Sequence, residues 1–177
     1  MPESPPISSL RFCAIDFESA GARPGKTDVP VQIGLARWSL ASGHQDPYVS
    51  YLASSEPVTW AARKVHGIGD EDLRHAPKIQ EIWPAIRNHL DGHVVVAHGM
   101  GTEKRFLRAF PGHRFGPWID TLLLAACPDR RWHDALFDAR GSLHLLEKII
   151  IDFALQDRPI DTLLHPDLTV WSKSRGR

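Results

Sequence analysis

The sequence of 177 residues contains little cysteine and no long apolar run. Its two cysteines, Cys13 and Cys127, are too few for a disulfide framework or a four-cysteine zinc site. No stretch reaches the roughly 18 consecutive apolar residues that a membrane-spanning helix needs, so we predict no membrane partner. Residues 1–6 lack the basic segment, followed by an apolar one, that marks a secretory signal. These absences predict a reduced, cytoplasmic protein.

The chain also has no surplus of charge, because 21 basic residues balance 21 acidic ones. A balanced charge excludes a strongly basic protein that coats nucleic-acid duplexes. It leaves open an enzyme that meets phosphate groups through bound cations. With 42% hydrophobic residues, the length suits one domain with one core. We therefore predict a single domain over residues 1–177, with loose segments at 1–9 and 172–177.

Apolar patterning predicts three strands first, and then strands that alternate with helices. A mostly apolar run at 10–17 indicates a buried strand. Further strands are predicted at 29–38, 48–52, 94–97 and 117–119, and helices at 57–65, 77–90, 102–110 and 135–150. Thr102 is the expected N-cap of the third helix. This order predicts an α/β fold with a mixed sheet.

Asp16 and Glu18 stand at the end of the first predicted strand. Side chains two positions apart on a strand project from the same face. Two carboxylates on an otherwise apolar face are unfavourable unless a positive charge compensates them. A magnesium ion, which takes oxygen ligands, would supply that charge. The alternative is a solvated strand end without a metal.

Two later segments contribute further candidates. Glu103 follows the strand at 94–97 by a short loop, so it falls in the first turn of the next helix, where the helix dipole alone favours a carboxylate. His133 and Asp138 are five positions apart, which on a continuous helix turns their side chains about 140° from each other. They can reach one site only if His133 precedes the helix or lies in a distorted first turn. Otherwise His133 caps the segment and Asp138 is a surface residue.

Taken together and in order, these elements resemble the DEDDh family of 3′–5′ exonucleases. The matching segments are Asp16-Phe17-Glu18, Gln32-Ile33-Gly34, His66-Gly67-Ile68, Val96-Ala97-His98 with Glu103, and His133-x-Ala135-x-x-Asp138-Ala139. The resemblance covers about residues 10–150. It implies a ribonuclease H-like fold, in which helices flank a central mixed sheet of five strands.

The resemblance also implies a role for each matching residue. Asp16 would bridge two Mg²⁺ or Mn²⁺ ions, Glu18 and Asp138 would be further metal ligands, and His133 would be the general base. Glu103 stands where the family usually has Asp. The expected reaction releases nucleoside 5′-monophosphates from single-stranded DNA or RNA 3′ ends. A polymerase partner or self-association is expected from other family members.

Four further residues are predicted to contact the substrate: Phe17, Ser19, His66 and His98. The aromatic ring of Phe17 is suited to stack on a terminal base, although it would equally suit the core. His66 belongs to a turn that in the family lies near the substrate, and packing is its alternative role. Ser19 keeps a hydroxyl where the family commonly has threonine.

Two departures from the family pattern affect the predicted activity. Glu103 is one methylene longer than Asp, so a second cation would bind differently or more weakly. The connection from Asp120 to His133 is only 13 residues, shorter than the family's usual helical segment. Either the protein lacks that segment, or the sequence omits a stretch and a backbone gap falls near 125–128.

Two alternative functions stay open: a catalytically weak module that binds nucleic acid or a polymerase, and a hydrolase of small phosphodiesters.

Overall fold

Five strands form one mixed sheet in the computed structural model, which describes residues 4–124 and 134–166. The strands are β1 (Phe12–Ser19), β2 (Pro30–Ser39), β3 (Gly43–Tyr51), β4 (Val94–Ala97) and β5 (Trp118–Asp120). Their order across the sheet is β3-β2-β1-β4-β5. The first three strands pair antiparallel, whereas β4 pairs parallel with both β1 and β5. The mixed five-stranded sheet predicted from the sequence is confirmed.

Helices connect and cover the strands. They are α1 (Trp60–His66), α2 (Asp70–Leu73), α3 (Ile79–Leu90), α4 (Gly101–Leu107), α5 (Thr121–Leu124), α6 (Ala135–Asp152) and α7 (Asp161–Leu164). Within the described ranges, none of them combines the length and apolarity needed to cross a membrane.

The two faces of the sheet carry separate cores, because side chains alternate along each strand. On one face Phe12 and Ala14 of β1 pack with the apolar stripe of α6, as the helical periodicity predicted. On the other face Cys13, Ile15 and Phe17 pack with residues of α3 and α4. Asp16 and Glu18 therefore lie in register with the α6 face.

Among the predicted boundaries that differ from the structure, two have clear local reasons. β3 begins at Gly43 rather than at 48, because its pairing with β2 continues to the hairpin turn, where Ser39 lies opposite Gly43. Thr102 is not the N-cap of α4 but lies inside the helix, which Met100 precedes without a side-chain cap.

The N-terminal segment is also more ordered than predicted, because residues 4–9 are not loose. The side chain of Ile7 is fully buried in the core beneath α6. Its backbone N–H donates to the carbonyl of Arg158 at 3.0 Å, and that of Ser8 donates to the carbonyl of Gln156 at 2.8 Å. One apolar residue in a Pro/Ser-rich segment is thus enough to anchor it. Residues 1–3 and 172–177 lie outside the described ranges.

Candidate functional site

Three of the predicted carboxylates meet at one place. Asp16 and Glu18 come from β1, and Asp138 comes from the first turn of α6. Each offers one oxygen atom, and these three atoms all lie within 4.8 Å of one another. The strand alternation and the helix packing together bring about this cluster, which we call the carboxylate cluster.

Residues of β2 set the position of α6, and hence of Asp138. Gly34 lies opposite Asp16 in the sheet, and a Cβ atom on Gly34 would overlap the backbone of Ala135. Only glycine lets the helix approach so closely. Beside it, the buried Gln32 accepts a hydrogen bond from the backbone N–H of Ala135 at 3.0 Å. The Gln32-Ile33-Gly34 segment therefore fixes the start of α6 one turn before Asp138.

Asp134, which the sequence analysis did not select, caps α6. Its carboxylate accepts a hydrogen bond from the backbone N–H of Phe137 at 2.8 Å, a standard N-cap contact. Its negative charge also contributes to raising the pKa values of Asp16, Glu18 and Asp138. In the sequence, an Asp at position 134 was a recognisable N-cap signal for the helix that follows.

His133 lies outside the described residues, and its role as general base stays a prediction.

Burial and mutual repulsion strongly disfavour the ionised carboxylate cluster. Burial, and then the nearby charges of Glu103, Asp138 and Glu18, raise the pKa of Asp16 to about 9. Burial followed by neighbouring carboxylates raises the pKa values of Glu18 and Asp138 to about 7. The ionised cluster is stable only with a compensating positive charge.

The donor set fits a hard divalent cation. All three groups of the cluster are carboxylates. Oxygen ligands of this kind suit Mg²⁺ and Mn²⁺, whereas Zn²⁺ sites usually include imidazole or thiolate ligands. Oδ1 of Asp138 and Oε2 of Glu103 are buried and have no hydrogen-bond partner among the described residues. Buried oxygens of this kind are normally satisfied by a donor or a cation. Asp16, Glu18 and Asp138 could hold such a cation.

Glu103 lies close to this cluster but is not part of it. It is 4% exposed, in the first turn of α4. Its charge is the largest neighbouring contribution to the raised pKa of Asp16. Burial, reinforced by the charge of Asp120, raises the pKa of Glu103 itself to about 7. Glu103 is thus a fourth buried carboxylate near the cluster, and it comes from α4 rather than from α6.

Asp120 is a positioning residue that sequence reasoning missed. At the end of β5, its carboxylate accepts backbone N–H bonds from Gly99 at 2.9 Å, Met100 at 3.2 Å and Leu122 at 3.0 Å. Gly99 has a positive φ of 89°, which glycine adopts without strain. Asp120 therefore holds the loop that leads into α4 and Glu103. A carboxylate directly after a predicted strand was the available signal.

Phe17 and His66 support the end of β1 from within the fold. The ring of Phe17 is 6% exposed and packs edge-to-face on Phe106, with centroids 5.4 Å apart. Nδ1 of His66 accepts from the N–H of Ile68 at 3.1 Å, so its Nε2 donates to the carbonyl of Ser19 at 3.0 Å. Both arrangements fit the packing alternative, and substrate contact by either residue stays a prediction.

His98 and Ser19 are the other two residues expected to contact substrate. His98 is exposed, and its Nδ1 lies 3.1 Å from the hydroxyl of Thr121. That hydroxyl donates to the carbonyl of Ala97 at 3.1 Å, so the ring N–H is the donor to Thr121. Nε2 of His98 then remains an acceptor. Ser19 ends β1 next to Glu18 and is half-buried.

The backbone gap expected near residues 125–128 lies outside the described residues.

Comparison with known proteins shows one consistent group of relatives. A sequence model described as "Exonuclease" matches residues 13–110. A PolC-type DNA polymerase III from Thermotoga petrophila is 30% identical over 125 residues, which cover 67% of this chain and 9% of that protein. A DNA polymerase III subunit epsilon-like protein from Rhodobacter capsulatus is 30% identical over 128 residues, which cover 68% of this chain and 18% of that protein. The chain thus spans less than a fifth of these relatives.

Solved structures share the fold. The nuclease domain of 3′hExo, a DEDDh family member bound to rAMP, has a TM-score of 0.68 at 13% identity and matches 84% of this chain and 95% of that one. Exonuclease X in complex with 5′ overhanging duplex DNA has a TM-score of 0.65 at 18% identity, over 86% and 99% of the two chains. At sequence identities this low, the similarity establishes a shared fold and nothing more.

Proposed function

Since the chain belongs to the DEDDh-type 3′–5′ exonuclease family, we propose that it hydrolyses phosphodiester bonds at the 3′ ends of single-stranded DNA or RNA and releases nucleoside 5′-monophosphates. The observation that carries the proposal is the carboxylate cluster of Asp16, Glu18 and Asp138. Its members come from separate segments of a matching family pattern, and their raised pKa values indicate a site that needs a cation.

The proposed cofactor is a pair of Mg²⁺ or Mn²⁺ ions. Asp16 would contact both ions, Glu18 and Asp138 would complete the first site, and Glu103 would serve the second. When bound, the two cations stabilise the negative charge that develops on the attacking and leaving oxygens. The buried, unpartnered oxygens of Asp138 and Glu103 support this ligand assignment.

The other predicted site residues have proposed roles in proton transfer, substrate contact and positioning. His133 would accept the proton of the attacking water, because imidazole titrates near neutral pH. The free Nε2 of His98 and the hydroxyl of Ser19 would contact the terminal nucleotide. Phe17 and His66 would act beneath it, by fixing the end of β1 that carries Glu18.

Digestion of oligonucleotides labelled at the 5′ end tests this function. Single-stranded DNA and RNA would be incubated with Mg²⁺, with Mn²⁺ and with EDTA. We expect a metal-dependent ladder that shortens from the 3′ end, with 5′-mononucleotides as the other product. The two sugars reveal whether the pocket accepts a 2′-hydroxyl. Immediate release of the labelled nucleotide, or cleavage of a small model phosphodiester alone, would refute the proposal.

A second candidate is a catalytically weak module that binds nucleic acid or a polymerase. The observation that favours it is Glu103, which replaces the family's usual Asp and is not part of the carboxylate cluster. Under this alternative, the chain binds single-stranded oligonucleotides but does not shorten them.

Glu103 variants test whether this residue serves the proposed second cation. We expect Glu103→Gln to raise the Mg²⁺ concentration for half-maximal activity by at least about tenfold, because a ligand charge at the second cation is lost. Glu103→Asp restores the shorter ligand and should retain or increase activity. The measurement is a Mg²⁺ titration of the digestion rate. Identical titrations for wild type and Glu103→Gln would remove this residue from the site.

The proposal extends to partners and location. The relatives are DNA polymerase III polypeptides, which supports a polymerase partner, with self-association as the alternative. We also propose a cytoplasmic location, for which the support is the low cysteine content of the sequence. We further propose that residues 1–177 act as one domain. Size-exclusion chromatography with light scattering would measure self-association.

A further inference from the structure

A second group of metal-ligating side chains lies about two turns further along α6 than the carboxylate cluster. His44 comes from the start of β3, and His144 and Glu147 come from neighbouring turns of α6. One ligand atom from each lies within 4.8 Å of the other two. We propose that this histidine–glutamate cluster binds a zinc ion, separate from the cations of the carboxylate cluster.

The distances suit zinc coordination. Oε2 of Glu147 lies 2.9 Å from Nε2 of His44 and 3.5 Å from Nδ1 of His144. Two ligands of a tetrahedral zinc ion, each about 2.0–2.1 Å from the metal, are about 3.3 Å apart. Both contacts are close to this spacing, and the ligand nitrogens of His44 and His144 lie within 4.8 Å of each other. The side chain of His144 is 58% exposed, which leaves room for water at a remaining position.

The ligand types separate this site from the first. Imidazole suits Zn²⁺, whereas Mg²⁺ takes oxygen ligands and binds poorly to a site with two nitrogens. Arg37 and Arg140 line the hollow beside His44, and their positive charge disfavours an ion held by charge alone. Zinc–imidazole bonding overcomes that repulsion. The Glu147 carboxylate contacts both imidazoles, so the three side chains already converge on one point.

Zinc at this position would join two parts of the fold. His44 belongs to the β2–β3 hairpin, and the other two ligands belong to the helix that carries Asp138. A metal that binds only the folded chain stabilises it by mass action. At a zinc concentration about 100 times the dissociation constant, we expect the melting temperature to rise by at least about 5 °C.

The test is calorimetric titration of the full chain with Zn²⁺, in excess Mg²⁺ to occupy the carboxylate cluster. We expect one zinc ion per chain, and at least about tenfold weaker binding in both His144→Ala and Glu147→Gln. The matched control is His75→Ala, which removes an exposed histidine elsewhere and should bind zinc like wild type. Co²⁺ should give the visible bands of a tetrahedral site in wild type and lose them in the ligand variants.

Two results would overturn the assignment. Equal zinc affinity in wild type, His144→Ala and Glu147→Gln would show that these side chains do not bind the ion. Loss of zinc binding in Asp138→Asn, with no effect of the other two variants, would place the ion in the carboxylate cluster. Glu147→Gln keeps the size of the side chain, so it decides the matter if His144→Ala fails to fold.

Discussion

Asp16→Asn should abolish activity while making the metal-free protein more stable. The variant loses the ligand proposed to contact both cations, and cation stabilisation of the transition state is worth several kcal/mol, so the rate should fall by at least about 10³-fold. In EDTA the same change removes a carboxylate that burial and repulsion disfavour. The melting temperature should therefore rise by at least about 2 °C. Digestion rates and thermal melts measure the two effects.

The pH dependence of stability gives a second readout for Asp16→Asn. In the metal-free wild type, folding raises the pKa of Asp16 from 3.8 to about 9, so the folded chain holds a proton that the unfolded chain has lost. The contribution to the free energy of unfolding is present at acid pH and is lost as the pH rises through this range. Asp16→Asn should flatten this decline, and saturating Mg²⁺ should offset it in wild type.

Matched variants on α6 serve as the control. Asp138→Asn should lose activity as Asp16→Asn does, because it removes a member of the carboxylate cluster. Asp134→Asn also removes one negative charge, but asparagine can still cap the helix. It should keep activity within a few-fold of wild type. Equal losses in both α6 variants would mean that net charge, rather than ligation, explains the effect. A more stable but fully active Asp16→Asn would contradict the metal site.

Gly34→Ala should cost both stability and activity, although the side chain added is only a methyl group. Its Cβ would overlap the backbone of Ala135 and Leu136, so α6 must move away from β2. Overpacking of this kind destabilises by about 1–3 kcal/mol. The movement also displaces Asp138, and a shift of about 1 Å in a catalytic group can lower the rate by about 100-fold. Chemical denaturation and digestion assays measure the two losses.

Gly101→Ala is the control for Gly34→Ala. It adds the same methyl group at an exposed position at the start of α4, where a Cβ would meet no atom within 4 Å. Alanine favours the helix, so stability should stay equal or rise by up to about 1 kcal/mol. If Gly34→Ala were as stable and active as wild type, the close approach of α6 to β2 would not be required for the site.

Periodicity placed each member of the carboxylate cluster on its element, and the resemblance to the exonuclease family predicted that the members share one site. Strand alternation placed Asp16 and Glu18 on one face, and the apolar stripe after Ala135 placed Asp138 at the start of the covering helix. Local patterns were sufficient for these features because each depends on the periodicity of one element.

Contacts between distant segments could not be predicted in the same way. Asp120 acts through three backbone N–H groups of neighbouring loops, which no periodicity reveals. Ile7 anchors the N-terminal segment through bonds to residues near Arg158. The histidine–glutamate cluster joins His44 to two residues of α6, the more distant of which lies 103 positions later. The role of Gly34 depends on how closely one helix approaches the sheet, which only the packed structure gives.

Anomalous diffraction from crystals grown with Mn²⁺ and a nucleoside 5′-monophosphate would test the central claim most directly. The proposed function predicts two manganese peaks, both beside the carboxylate of Asp16, with Glu18 and Asp138 against one and Glu103 against the other. The phosphate of the nucleotide should contact both ions. A nucleotide bound elsewhere, or manganese absent from Asp16 at concentrations that support digestion, would contradict the proposed active site.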